Sequence, residues 1–218
     1  MRVNVYGSEL SAAVAAAALS SVGHQVVWCP HPDFPWHSLE SAEWLIREPG
    51  LKEQIDTGCR SGLLTIAETP AHGEVDIHWL ALAPDQRDAA EAYVADVTAA
   101  QSTPLVVINN STFPVGHTER FEALLGHAGQ VAVALPDMLE EGRAWETFTR
   151  PSRWLLGSED TQATHQVREL LRAFNRRQDV FQLMPRRAAE LTKLAIIGML
   201  ATRISYMNEL AGLADSLD

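Results

Sequence analysis

A chain of 218 residues holds one large domain, or one domain with a helical appendage, around a sizeable core. Its 17 basic and 28 acidic side chains leave a formal net charge of −11, which argues against nonspecific binding to nucleic acid or an anionic membrane. No apolar run approaches the length of a membrane span and the N-terminus lacks a basic start, so a cytoplasmic location is expected.

A strand begins at once in Val3-Asn4-Val5-Tyr6, followed by Gly7 and an alanine-rich helix from Ser11 to Val22. Gly23-His24 turns the chain into a second strand, Gln25 to Trp28. Further strands are expected at 63–67, 77–82, 105–108, 131–134, 154–156 and 180–182, and helices at 51–57, 85–100, 115–125 and 161–174. Strands alternating with helices imply βαβ units, hence a Rossmann-type, mostly parallel α/β sheet with helices on both faces. No internal repeat and no low-complexity linker interrupts the pattern.

The last segment differs. From Pro185, which suits a helix start, no further proline occurs up to Leu217, so one long helix is expected. This divides the chain into a dinucleotide-binding-like domain over 1–184 and a long helix over 185–218. Leu191, Leu194, Ile197, Leu200, Ile204 and Met207 line one side of that helix, while Ala195, Met199, Tyr206, Leu210 and Leu213 line another. A helix apolar on two sides is buried on two sides, so part should pack on the body and the rest against a second copy as a homodimer.

Four segments, in order, carry a family resemblance. The first is the strand–Gly–helix–Gly-His–strand opening from Val3 to Trp28. The second is Glu48-Pro49-Gly50-Leu51. The third joins Ser111-Thr112-Phe113-Pro114-Val115-Gly116 to Pro136-Asp137-Met138-Leu139-Glu140-Glu141-Gly142. The fourth is Ala189-Glu190-Leu191-Thr192-Lys193 with the run from Leu200 to Glu209. Together they resemble the front half of the UDP-glucose/GDP-mannose 6-dehydrogenase family. The resemblance implies NAD as cofactor, a nucleotide sugar as ligand, and oxidation of its C6 alcohol to a carboxylate in two hydride transfers. In that family a cysteine of a second domain forms the covalent thiohemiacetal, and neither Cys29 nor Cys59 lies in a matching motif.

The resemblance also nominates residues. Thr112, Asp137, Glu141 and Lys193 stand where the family positions water and stabilises developing charge, and are the candidate catalytic set. Gly7, Ser8, Ser111 and Thr112 are the candidate cofactor contacts. The hydroxyls of Ser111 and Thr112 equally suit caps of a strand end or the following helix, and Lys193 equally suits a solvated helix position. Asp137 replaces a glutamate and holds its carboxylate on a shorter arm, which alters general-base geometry.

Several positions depart from the family pattern. A GxGxxG loop admits a pyrophosphate because its glycines let the backbone approach. Here Glu9 stands at the second glycine and Ala12 at the third. Two unit charges ~4 Å apart at an effective dielectric near 20 repel by ~4 kcal/mol, roughly a thousandfold in affinity. Pro30 stands where an acid should hold the adenosine ribose, with Asp33 three residues on. Leu82-Ala83-Pro84-Asp85 lacks the threonine of the matching loop, and Ile197 replaces an asparagine one turn after Lys193. The expectation is a divergent pseudoenzyme, not competent alone for the oxidation, that serves as a binding, regulatory or assembly domain. The alternative is an active subunit that completes its site with a partner chain.

Cys29, His31, Asp33 and His37 cluster in a proline-rich loop and could each bind zinc, but their spacing matches no familiar module, so no metal is expected. The six tryptophans are dispersed and read as packing groups, not as a stacking platform for single strands.

Overall fold

The computed structural model describes residues 1–32, 45, 47–71, 73–175 and 179–217. Its elements run β1 (Arg2–Tyr6), α1 (Leu10–Ser21), β2 (Gln25–Cys29), α2 (Leu51–Arg60), β3 (Leu64–Ile66), β4 (Ile77–Leu80), α3 (Arg87–Ala100) and β5 (Leu105–Asn109). Then follow α4 (His117–Leu124), β6 (Gln130–Ala134), α5 (Ala144–Thr149), β7 (Trp154–Gly157), α6 (Thr161–Leu170), a 3-10 turn (Arg172–Phe174), β8 (Phe181–Met184) and α7 (Arg186–Asp215). One eight-stranded sheet has the order β3-β2-β1-β4-β5-β6-β7-β8. Every pairing is parallel except β6 with β7, which meet antiparallel at Ala134 and Gly157 alone. The Rossmann-type, mostly parallel sheet with a long C-terminal helix is therefore the architecture of this chain.

The sheet is apolar on both faces because helices cover both. Val5, Trp28, Ile77 and Trp79 are buried in one cluster, and Leu80, Val107, Phe121 and Tyr93 in another. Continuous apolar strands are what a doubly covered parallel sheet requires. Helix α1 is buried from Ala12 to Ser20. Its run of alanines has no broad side to present, so β1, β2, α2 and α5 can all approach its backbone closely.

The order reverses between β1 and β4, and the ends of β1, β4, β5 and β6 open on one edge. Ligand crevices of open α/β sheets form at such a switch point. Gly7 sits there with φ +135°, and a Cβ on it would lie 1.8 Å from the Ala81 carbonyl oxygen. Only glycine lets the first loop pass this close to the end of β4.

Helix α7 starts against the body and then leaves it. Ala189 and Glu190 are its buried residues, and every residue from Ala195 to Leu217 is exposed. Leu200, Ile204 and Met207 are each more than half exposed, as are Met199, Tyr206 and Leu213 on the other side. No helix among the described residues is long and apolar enough to cross a membrane.

Candidate functional site

Four loops meet at the C-terminal edge of the sheet: 7–10 after β1, 81–86 after β4, 110–116 after β5 and 135–143 after β6. Their positions are set largely by side chains that satisfy backbone groups. The Trp28 indole donates to the Gly7 carbonyl at 2.9 Å from within the core. Ser8 is buried, and its hydroxyl accepts from the His31 amide at 2.7 Å. Ser111 is buried too: its hydroxyl accepts from Leu82 N at 2.9 Å and donates to the Leu80 carbonyl at 3.3 Å. It thereby closes the end of β4, where the pairing with β1 stops. Of the nominated cofactor contacts, Ser8 and Ser111 thus have their hydroxyls engaged by backbone. Thr112 does not; it is half-buried and its hydroxyl makes no hydrogen bond among the described residues.

Two buried glutamates do the same for helix starts. Glu48 is 3% exposed; one carboxylate oxygen accepts from Gly142 N and the other from Ala144 N at 2.9 Å. It therefore holds the turn after Pro136–Glu141 and caps α5. Glu190, on α7, accepts from Gly116 N at 2.6 Å, Thr118 N at 2.8 Å and the Thr118 hydroxyl at 2.6 Å. The start of α4, and with it the loop carrying Ser111 and Thr112, is clamped to α7. Orphan N–H groups at a helix start favour a carboxylate both by hydrogen bonding and by the helix dipole. Sequence matching placed both glutamates inside motifs without a role; their partners lie 94 to 96 and 72 to 74 residues away.

Asp137 is half-buried and accepts from Leu139 N at 2.7 Å. Burial raises its pKa above the ordinary carboxyl value, while the Leu139 bond and the positive charge of Lys193 pull it down. Asp137, in the β6 loop, and Lys193, in the first turns of α7, make no ion pair, but the lysine's charge reaches the carboxyl. Glu141 stands apart from them. It is exposed, and its carboxylate has no partner among the described residues. Asn110, buried beside Asp137, donates to the Leu135 carbonyl at 2.6 Å and was not singled out from the sequence. A cavity of about 210 Å³ opens next to these groups.

At the first loop, Glu9 takes the N-cap position of α1 without capping it through its side chain. The residue is exposed, yet its carboxyl is partly shielded. That desolvation first, and the Asp85 carboxylate second, raise its pKa. Pro30 is buried at the end of β2. Ile197 is exposed on α7. Cys29 is buried, and burial pushes its thiol up to about 12. Asp33 and His37 lie outside the described residues, and no three potential metal ligands converge among those described.

Residues 1–175 match the model of the UDP-glucose/GDP-mannose dehydrogenase family, NAD binding domain. A UDP-glucose 6-dehydrogenase of Pseudomonas aeruginosa is 34% identical over 230 residues, which cover 98% of this chain and 51% of that protein. One from Rhizobium meliloti is 27% identical over 233 residues, covering 100% and 53%. Among solved structures, a UDP-glucose dehydrogenase from Pyrobaculum islandicum superposes with a TM-score of 0.76 at 27% identity, over 96% of this chain and 52% of that one. The UDP-N-acetyl-mannosamine dehydrogenase of Staphylococcus aureus shares the fold at a TM-score of 0.81 and 18% identity, over 100% and 55%. The chain spans about half the length of the curated relatives it matches. With its ordered motifs, its switch-point crevice and this match over most of its length, the chain belongs to the UDP-glucose/GDP-mannose dehydrogenase family.

Proposed function

We propose that this chain is a divergent nucleotide-sugar dehydrogenase-like domain that does not by itself complete an NAD-dependent oxidation and acts as a binding, regulatory or assembly unit. The observation that carries the reading is the Glu9 carboxylate beside Asp85 at the start of α1. In a Rossmann fold the pyrophosphate approaches this helix start, and here it would meet two carboxylates. Pro30, at the end of β2, has neither a carboxylate nor an N–H for a ribose. The loop after β4 carries Pro84 and has its first three amides taken, Ala81 N by the Tyr6 carbonyl at 2.9 Å, Leu82 N by Ser111 and Ala83 N by Gln86 at 3.1 Å. These residues do not fit a dinucleotide. The family itself implies NAD, which makes the test direct. Calorimetry should show no NAD binding at roughly millimolar concentration to the natural chain and recovery in Glu9→Gly, on the scale of the thousandfold set by ~4 kcal/mol. Micromolar binding by the natural chain would overturn the reading.

The second reading is an active subunit whose site is completed by a partner chain bearing a nucleotide-sugar domain. The charge of Lys193 acting on the Asp137 carboxyl, with the unengaged Thr112 hydroxyl in the β5 loop, favours it. A buried carboxyl next to a lysine is a usual setting for proton transfer and oxyanion stabilisation. Activity would then appear only with the partner added, and Lys193→Ala would abolish it. Under either reading the exposed apolar flanks of α7 pair with a second copy, the helix over 185–218 serving as the assembly segment of the 1–184 body.

A further inference from the structure

His117, the first residue of α4, fastens the β5 loop to that helix through its ring. It is buried, and its imidazole packs on Phe113 of the loop and on Phe121 of α4, each at 4.8 Å between ring centres. Phe113 and Phe121 are buried as well and meet at 6.2 Å, so the three rings form one cluster under the loop. The backbone around the ring is equally constrained. The His117 amide donates to the Pro114 carbonyl at 3.2 Å, and the amides on either side, of Gly116 and Thr118, donate to Glu190 of α7. A ring that leaves the cluster therefore pulls on the bonds that clamp the loop. The surroundings are poorly suited to a second proton on this ring. Its Nε2 is buried and makes no hydrogen bond among the described residues, although it lies 3.5 Å from the Glu91 carboxylate of α3. Glu91 is already paired with Arg120 at 3.1 Å. The other charged groups that face the ring are Arg87 of α3 and Glu190, whose carboxylate is engaged by the α4 amides. A helix start also opposes a cation through its dipole. Burial is the largest influence and lowers the imidazole pKa; Arg120 and Arg87 act with it, Glu91 and Glu190 against it.

We propose that His117 is a pH-sensitive latch on the β5 loop: the neutral ring holds residues 112–116 against α4, and uptake of a proton from solvent releases them. The latch is complete above about pH 6.5, the ordinary imidazole value, and weakens as pH falls below it, because the released, hydrated ring takes the proton that the buried ring refuses. The released segment carries the Thr112 hydroxyl and follows directly on Ser111, which closes the end of β4. Acidification thus loosens the edge of the crevice between β4 and β5 while the strands stay paired. The device is independent of whether the Gly7–Leu10 loop accepts a dinucleotide.

The test is amide hydrogen exchange of the whole chain at roughly pH 7.5 and 5.5, corrected for the intrinsic pH dependence of exchange and read as protection. Protection of the Gly116, His117 and Thr118 amides should fall about three- to tenfold on acidification. Tenfold is the limit reached when only the released ring, with a pKa near 6.5, takes the proton. His117→Phe keeps an aromatic ring in the cluster and should abolish this fall. No fall in the natural chain, or the same fall in the variant, would overturn the latch. So would protection of these amides as strong as that of the β4 amides at both pH values, since the ring would then titrate only through global unfolding. The natural chain gives a second answer without any variant. In NMR titration the His117 ring proton and the Thr118 amide should share one midpoint, and a Thr118 amide that does not follow the ring would overturn the coupling.

Discussion

His78 shows how a single buried polar residue shapes the behaviour of the core. It lies on β4, is 2% exposed, and its Nδ1 meets the Tyr93 hydroxyl at 3.1 Å while Nε2 has no hydrogen-bond partner among the described residues. Tyr93 in turn stacks on Tyr6 at 4.3 Å. Burial disfavours the imidazolium, so the His78 pKa falls to about 4. The unfolded chain then binds a proton that the folded chain refuses between about 6.5 and 4, and stability is lost as pH falls through that window. Between pH 7.5 and 5 this contribution should cost roughly 2 kcal/mol. Urea titrations of the natural chain and of His78→Leu at both pH values measure it as the difference between their pH dependences. Identical dependences would show that His78 does not titrate in this way. Glu9 and Asp137 shift upward and act in the opposite sense, so the comparison with the variant isolates His78.

At the scale of elements, the buried caps matter most. Glu190 ties the loop after β5 and the start of α4 to α7 through three hydrogen bonds. Glu190→Gln keeps the shape but replaces one acceptor oxygen by an NH2 that faces donors. Either the half-buried Gly116 amide or the buried Thr118 amide and hydroxyl then lose their acceptor, which should cost about 2 kcal/mol and be read as a lowered urea midpoint with unchanged slope. A variant as stable as the natural chain would mean that water replaces the clamp. The expected strands and helices were mostly legible, because apolar runs and turn residues recur at βαβ spacing. Helix α5 was not. Six residues with only Ala144 and Phe148 buried carry little periodicity, and the cap comes from Glu48 far along the chain. The strand expected over 77–82 ends at Leu80, since the Ser111 hydroxyl takes the next available amide, that of Leu82. The antiparallel meeting of β6 and β7 had no local signal either.

At the scale of the molecule, the open question is what covers α7. Exposed Leu200, Ile204 and Met207 on one flank form the kind of contiguous apolar surface that marks an association site. Leu200→Glu with Met207→Glu should convert a dimer to a monomer in sedimentation, with little effect on the melting of the body, because neither residue contacts it. A monomeric natural chain at high micromolar concentration would remove the homodimer. Much of this protein follows from sequence alone: the alternation that makes a parallel sheet, the long unbroken helix, the ordered motifs of the family and the acid at position 9. These are local patterns, and local patterns survive in one dimension. Tertiary structure decided which motif residues do structural work. Only packing shows that Ser8 and Ser111 spend their hydroxyls on backbone, and that Glu48 and Glu190 cap distant helices. Those outcomes depend on which unsatisfied backbone groups lie within reach, and long-range chain crossings set that reach.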